Sequence, residues 1–204
     1  MAVAALLAST WTYAQAAPQG SPAYGLSVAE RVAASADPAQ AYHALSASDL
    51  AAFNSVEIPV STVLVSQSIT PLSMSPAVAA VPMSSAVTAA FSGCWALSGT
   101  FSGVAAAGNT LYTYWQATRV CVSGGSVTGV VVYNDDGETS TPLWQFKGVT
   151  TATYNAGFEG RGLVKAHFQL GTYGIIVQDV YACGQLRLNA NGSNYAMSYS
   201  CNSN

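Results

Sequence analysis

Four cysteines, Cys94, Cys121, Cys183 and Cys201, are the residues of this 204-residue chain whose types and spacing say most about chemistry. Three uses compete: a metal site, a nucleophile, or covalent staples. Structural zinc sites favour short paired spacings such as C-x2-C. No CxxC occurs here, and His167 is the one histidine in the cysteine-bearing half. A cysteine nucleophile needs a neighbouring base in an electropositive niche. An even cysteine count instead favours pairing, so the expectation is no metal, no cofactor and two disulfides.

Four cysteines allow three connectivities. Register selects among them. Residues facing each other in a hairpin are placed symmetrically about its turn. The midpoint of Cys94 and Cys121 falls on the Ala107–Gly108 bond, inside an Ala-Gly-Asn turn signal. The midpoint of Cys183 and Cys201 falls on Gly192, inside Asn191-Gly192-Ser193. The expected pairs are therefore 94–121 and 183–201, because directly opposed strand residues bring Cβ atoms within disulfide reach.

Other groups offer weaker chemistry. Asp135-Asp136-Gly137-Glu138 is the one acidic cluster. It lacks the spacing of an EF-hand loop and reads as a hairpin turn. Glu138, Glu159 and Asp179 are the carboxylates a glycosidase would have to draw on, but no spacing links them. His167 and Asp179 would complete a triad with any of many serines, and there is no G-x-S-x-G elbow. His167 alternates with apolar neighbours and is expected on the solvent face of a strand. Arg161 beside Glu159 reads as a loop charge pair. The aromatics are the best remaining candidates. Tyr112, Tyr114, Trp115 and Trp144 fall in expected strands, and exposed rings on a sheet can stack on sugars. Core packing is the competing use of the same rings.

The elements that would position these residues are strands. From residue 91 on, runs at about 91–102, 110–122, 126–134, 142–152, 161–171, 174–189 and 194–201 are separated by Gly, Asn and Asp clusters. Seven strands at this spacing imply an all-β fold, an antiparallel β-sandwich, with a small up-and-down β-barrel as the alternative. The preceding segment, 27–89, is expected to be partly helical and then extended. Ser27 with Glu30 has capping-box spacing, and Pro38 would end that helix. Ser48 to Phe53 suggests a further short helix, and VEIPVSTVLVSQSIT alternates like a strand. Pro71, Pro76 and Pro82 mark an extended stretch before the β domain at 90–204.

Composition narrows the setting. Charged residues make up 7% of the chain, against roughly 25% in average soluble proteins. Net charge is −3 without a basic cluster, so no nucleic-acid partner is expected. Residues 1–26 read as a leader, with an apolar run from Ala2 to Ala8 and a small-x-small site at Ala14-Gln15-Ala16, though a basic start is lacking. No stretch is apolar enough for a transmembrane helix. The expectation is a signal peptide and a secreted, extracellular protein.

The motifs GCW, then GNTLYTYWQ running to a cysteine, then a Trp-containing strand, GQ and a terminal Gly-Ser hairpin resemble a group of uncharacterised small secreted actinobacterial proteins. LSASDLAAFNSVEIP upstream is similar to their pre-domain segment, so the resemblance spans about residues 42–204. It implies secretion and a disulfide-containing all-β domain, and supplies no catalytic residues. The Ala-rich first turn departs from the group's more Trp-rich hairpin.

Three functions follow as expectations. The first is a non-catalytic carbohydrate-binding module for cell-wall or environmental polysaccharide, using Tyr112, Tyr114, Trp115 and Trp144. The second is a structural or surface protein-interaction subunit working through sheet edges. The third, and weakest, is a hydrolase.

Overall fold

The computed structural model describes residues 17–72, 92–172 and 175–198. Cys201, the apolar run and Ala-Gln-Ala site of the expected leader, and Pro76 and Pro82 lie outside those residues. Three helices, α1 (Pro22–Ala33), α2 (Pro38–His43) and α3 (Ala47–Glu57), precede eight strands. The strands are β1 (Pro59–Leu72), β2 (Gly93–Ala105), β3 (Thr110–Ser123), β4 (Ser126–Thr139), β5 (Trp144–Asn155), β6 (Glu159–Thr172), β7 (Ile175–Asn189) and β8 (Asn194–Ser198).

Two four-stranded antiparallel sheets, β1-β2-β3-β4 and β5-β6-β7-β8, pack face to face. Strand β3 lies over β6, β2 over β7, and the ends meet at β4 with β5 and β1 with β8. The order is up-and-down, but no ladder joins β4 to β5 or β1 to β8, so the sandwich is not a closed barrel. At the second seam the Ala196 N–H donates to the Gln67 side-chain oxygen at 3.2 Å.

Strand alternation sets the core. On β3, Tyr112, Tyr114, Gln116, Thr118, Val120 and Val122 all point inward and are buried. Val164, Ala166, Phe168 and Leu170 answer them from β6. Tyr112 also covers its cross-strand partner Gly103, where a Cβ would come within 2.2 Å of the ring. Only glycine lets a ring lie that close to the β2 backbone. Each buried ring contributes about 1.5–3 kcal/mol of apolar burial.

The helices close one end of the sandwich. Ala107 donates to the Ser55 carbonyl at 2.8 Å, and the Asn109 amide to that of Val56 at 2.8 Å. The Trp144 indole N–H reaches the Glu57 carbonyl at 3.2 Å. Tyr24 on α1 hydrogen-bonds Asp49 on α3, and Arg31 adds a salt bridge at 3.6 Å. Residues 22–72 thus supply a cap and an eighth strand, β1.

Local readings change in three places. Helix α1 starts at Pro22, capped by Ser21, and takes in residues 22–26 of the expected leader. Ser27 sits inside that helix and donates to the Tyr24 carbonyl, because Ser-Pro is the stronger start signal. Pro38 begins α2 instead of ending α1, with Asp37 as its cap. The Asp135–Glu138 cluster is not a turn: β4 runs through it, with Asp136 opposite Trp115 and Gly137 opposite Tyr114. Gly137 is there for packing, since a Cβ would come within 2.8 Å of the Phe146 ring.

Candidate functional site

The first cysteine pair occupies the place its spacing assigns. Cys94 and Cys121 are direct partners in the β2–β3 ladder and form a disulfide, with Cα atoms 4.0 Å apart. The turn that sets this register holds Gly108 at φ 89°. Cys183 is also disulfide-bonded. The β7–β8 ladder runs Gly184 opposite Ser198.

The four expected ligand-binding aromatics do not form a surface. Tyr112, Tyr114 and Trp144 are 1%, 0% and 5% exposed. Tyr112 stacks on Phe168 with centroids 4.1 Å apart, and Tyr114 on Phe101 at 5.2 Å. The Tyr114 hydroxyl donates to the Cys183 carbonyl across the sheets at 2.9 Å. Trp144 contacts Tyr112 at 5.2 Å. Trp115 alone is on the outer face of the first sheet, half-buried between Thr100 and Asp136. These rings hold the sheets together, as core packing requires.

Exposed aromatics gather instead on the outer face of the second sheet. Tyr154 faces Arg161, Arg161 faces Arg187 and Arg187 faces Tyr195, so one row crosses all four strands. The nearly buried Glu159 carboxylate ties the row together. One oxygen accepts from Arg161; the other lies 3.8 Å from Arg187 and 3.3 Å from the Tyr195 hydroxyl. The Arg187 guanidinium donates to that hydroxyl at 2.6 Å. Each guanidinium also lies over a ring, Arg161 5.0 Å from Tyr154 and Arg187 5.1 Å from Tyr195. Two cations share this one carboxylate.

Farther along β6 the pattern recurs. His167 stacks on its cross-strand partner Tyr181 at 4.4 Å, and the Lys165 ammonium lies 4.3 Å from the same ring. Tyr181 remains 51% exposed. Six residues separate Arg161 from His167, about 20 Å along a strand. The two clusters therefore form an extended strip of rings and cations. Four of the six Lys and Arg residues, Lys147, Arg161, Lys165 and Arg187, belong to this sheet. The Asp135, Asp136 and Glu138 carboxylates stand on β4 in the other sheet.

The same geometry tests the catalytic readings. The structure does bring His167 and Asp179 together, Nε2 to Oδ1 at 2.5 Å. Among the described residues no hydroxyl bonds to that imidazole, so the pair lacks a nucleophile. Glu159 and Asp179 share a face, but their ladder partners on β6 place them about ten residues apart, on the order of 30 Å. Paired glycosidase carboxylates stand about 5–10 Å apart. No group of three His, Cys, Asp or Glu side chains suited to a metal occurs among the described residues. No helix among them is long and apolar enough to cross a membrane.

The signal for the strip was present in the sequence. Tyr154 and Arg161 are symmetric about the Gly157–Phe158 bond, as Cys94 and Cys121 are about Ala107–Gly108. Arg161 also has the parity of His167, which alternation places on the solvent face. Comparison with family models, curated proteins and solved structures gives no match for this chain.

Proposed function

We propose that the chain is a secreted, non-catalytic binding module whose second sheet takes an acidic polysaccharide on its outer face. The observation that carries this reading is the Tyr154–Arg161–Arg187–Tyr195 row, continued by Lys165, His167 and Tyr181. Rings packed against cross-strand cations offer apolar surface to sugar faces. The adjacent cations offer partners to carboxylate or phosphate groups. Fixing those side chains through Glu159 and Asp179 in advance reduces the ordering cost of binding. Secretion is supported by the Cys94–Cys121 disulfide, by the expected leader and by the low content of charged residues.

The test is co-sedimentation of the oxidised full chain with peptidoglycan retaining its anionic polymers, with calcium alginate, and with neutral cellulose and chitin. Binding to the anionic polymers that weakens with salt is expected. Tyr181→Ala and Tyr195→Ala should each weaken it tenfold or more, while Trp115→Ala leaves it unchanged. Retention on no polymer, or binding indifferent to both tyrosine variants, refutes the assignment.

A further inference from the structure

Three hydrogen bonds that fasten the helical cap to the sandwich end on consecutive carbonyls of α3. Ser55 accepts from the Ala107 N–H at 2.8 Å, Val56 from the Asn109 amide at 2.8 Å, and Glu57 from the Trp144 indole at 3.2 Å. The next residue, Ile58, is already extended, and Pro59 opens β1. The joint between cap and sheet is therefore the last turn of α3. At that joint the Glu57 side chain is fully buried, and both its carboxyl oxygens lack a hydrogen-bond partner among the described residues. A carboxyl so placed is tolerated as the neutral acid, whereas its carboxylate needs water or a cation.

The packed elements supply no such cation. Strands β1 and β2 carry no Asp, Glu, Lys, Arg or His. On β3, Tyr112 packs on Trp144, and burial holds its phenol neutral up to about 12. On β5, Trp144 does not titrate and Lys147 is exposed; Glu138 of β4 and His43 and Asp37 of α2 are exposed as well. On α1, Glu30 is exposed, while Tyr24 and Arg31 engage Asp49, about two turns before Glu57 on α3. Those same contacts bind α1 to α3. Gly25 tightens the pair, since a Cβ there would come within 2.6 Å of the Ala52 carbonyl. Helix α2 buries no residue of its own, so it can follow the other two.

We infer that the cap is a pH-operated cover: ionisation of Glu57 breaks the joint at residues 55–57, and α1–α3 lift off the end of an intact sandwich. Proton linkage fixes the direction. With the cap closed, burial raises the Glu57 pKa to about 8; with the cap lifted, the carboxyl meets water and returns to its ordinary 4.5. Between those values the closed form holds one more proton than the open form. Each unit of rising pH therefore favours opening by about tenfold, and the effect ends above about 8, where both forms are ionised. Opening uncovers the apolar cavity under the cap, lined by Val32, Tyr42, Phe53, Leu143, Leu170 and Val177 among others. The Tyr/Arg strip lies on the outer face of the second sheet and is untouched.

The experiment is native-state hydrogen exchange of the oxidised full chain, read by mass spectrometry of peptides and corrected for the intrinsic pH dependence of exchange. From about pH 5 to about pH 8, protection of residues 22–57 should fall by about tenfold per unit, while β3 and β6 keep theirs. Glu57→Gln should hold the cap's protection constant across that range. Asn109→Ala removes one of the three fastenings, so it should lower the cap's protection severalfold at every pH without changing the slope. A cap whose protection is flat with pH in the wild-type protein overturns the inference. So does a slope that survives Glu57→Gln, or a loss shared equally by β3 and β6, which is unfolding of the whole chain.

Discussion

Tyr112 on β3 lies nearly parallel to Phe168 on β6, with ring centroids 4.1 Å apart and planes 16° apart. The contact ties the two sheets together at the centre of the core. It also explains why Tyr112 is unavailable to a ligand: burial pushes its phenol up to about 12, as expected for a ring removed from water.

Tyr112→Ala is therefore expected to act on stability. It removes the ring from Phe168, from Trp144 and from above Gly103. Large-to-small aromatic changes of this kind cost about 3–5 kcal/mol. Urea unfolding should show that loss, whereas Tyr181→Ala, at an exposed site, should change the midpoint little. Equal small effects would mean that the core does not rest on this stack.

The Cys94–Cys121 disulfide closes a loop with a sequence separation of 27. Chain-entropy reasoning assigns such a loop about 3–4 kcal/mol, through restriction of the unfolded chain. Replacing both cysteines by alanine should lower stability by about that amount without altering the β-sheet spectrum. A labelled free thiol at Cys94 or Cys121 in the unreduced protein would contradict the pairing.

What the sequence revealed followed from symmetry about turns and from alternation along strands. The 94–121 register needed only the position of Gly108. The outward placement of His167 needed only its neighbours Ala166 and Phe168. Contacts between the sheets obey no such local rule. Tyr112 and Tyr114 share a face by alternation, but their burial depends on Gly103 beneath one ring and on β6 above both. Gly137 failed for the same reason: in sequence it looks like a turn, and in the fold it makes room for Phe146. The Tyr154–Arg161–Arg187–Tyr195 row spans three hairpins, so it emerges only when all three registers are combined.

Glu159 should matter more than its place beside an exposed site suggests. Its carboxylate serves Arg161, Arg187 and the Tyr195 hydroxyl at once. Glu159→Gln removes the one charge that these two largely covered guanidinium groups share. A cost of about 1–3 kcal/mol is expected, below that of breaking a fully buried pair because the arginines keep some contact with water. The same variant should loosen Tyr195, seen as faster ring motion by nuclear magnetic resonance. An unchanged unfolding midpoint and unchanged ring dynamics would show that the arginines are held by their contacts other than Glu159.

The pH dependence of stability should be set largely by Glu57. It is fully buried where α3 meets β1, and neither carboxyl oxygen has a hydrogen-bond partner among the described residues. Burial raises its pKa to about 8, opposed only in part by the Trp144 indole. Folded protein thus keeps the Glu57 proton between the ordinary carboxylate pKa and about 8, while unfolded chain releases it. Stability is then fullest near pH 4.5 and falls as pH rises toward 8, by an amount of order 4 kcal/mol if the whole shift is expressed. Asp49 acts in the opposite sense. Hydrogen bonds from Tyr24 and Ser46, aided by Arg31, lower its pKa, so its contribution is lost only on acidification below the ordinary carboxylate range. Glu57→Gln should flatten the profile between pH 5 and 8 and raise stability at the alkaline end, measured by denaturant melts across that range. A wild-type profile already flat there would mean that the Glu57 carboxylate finds water or a partner in the folded protein.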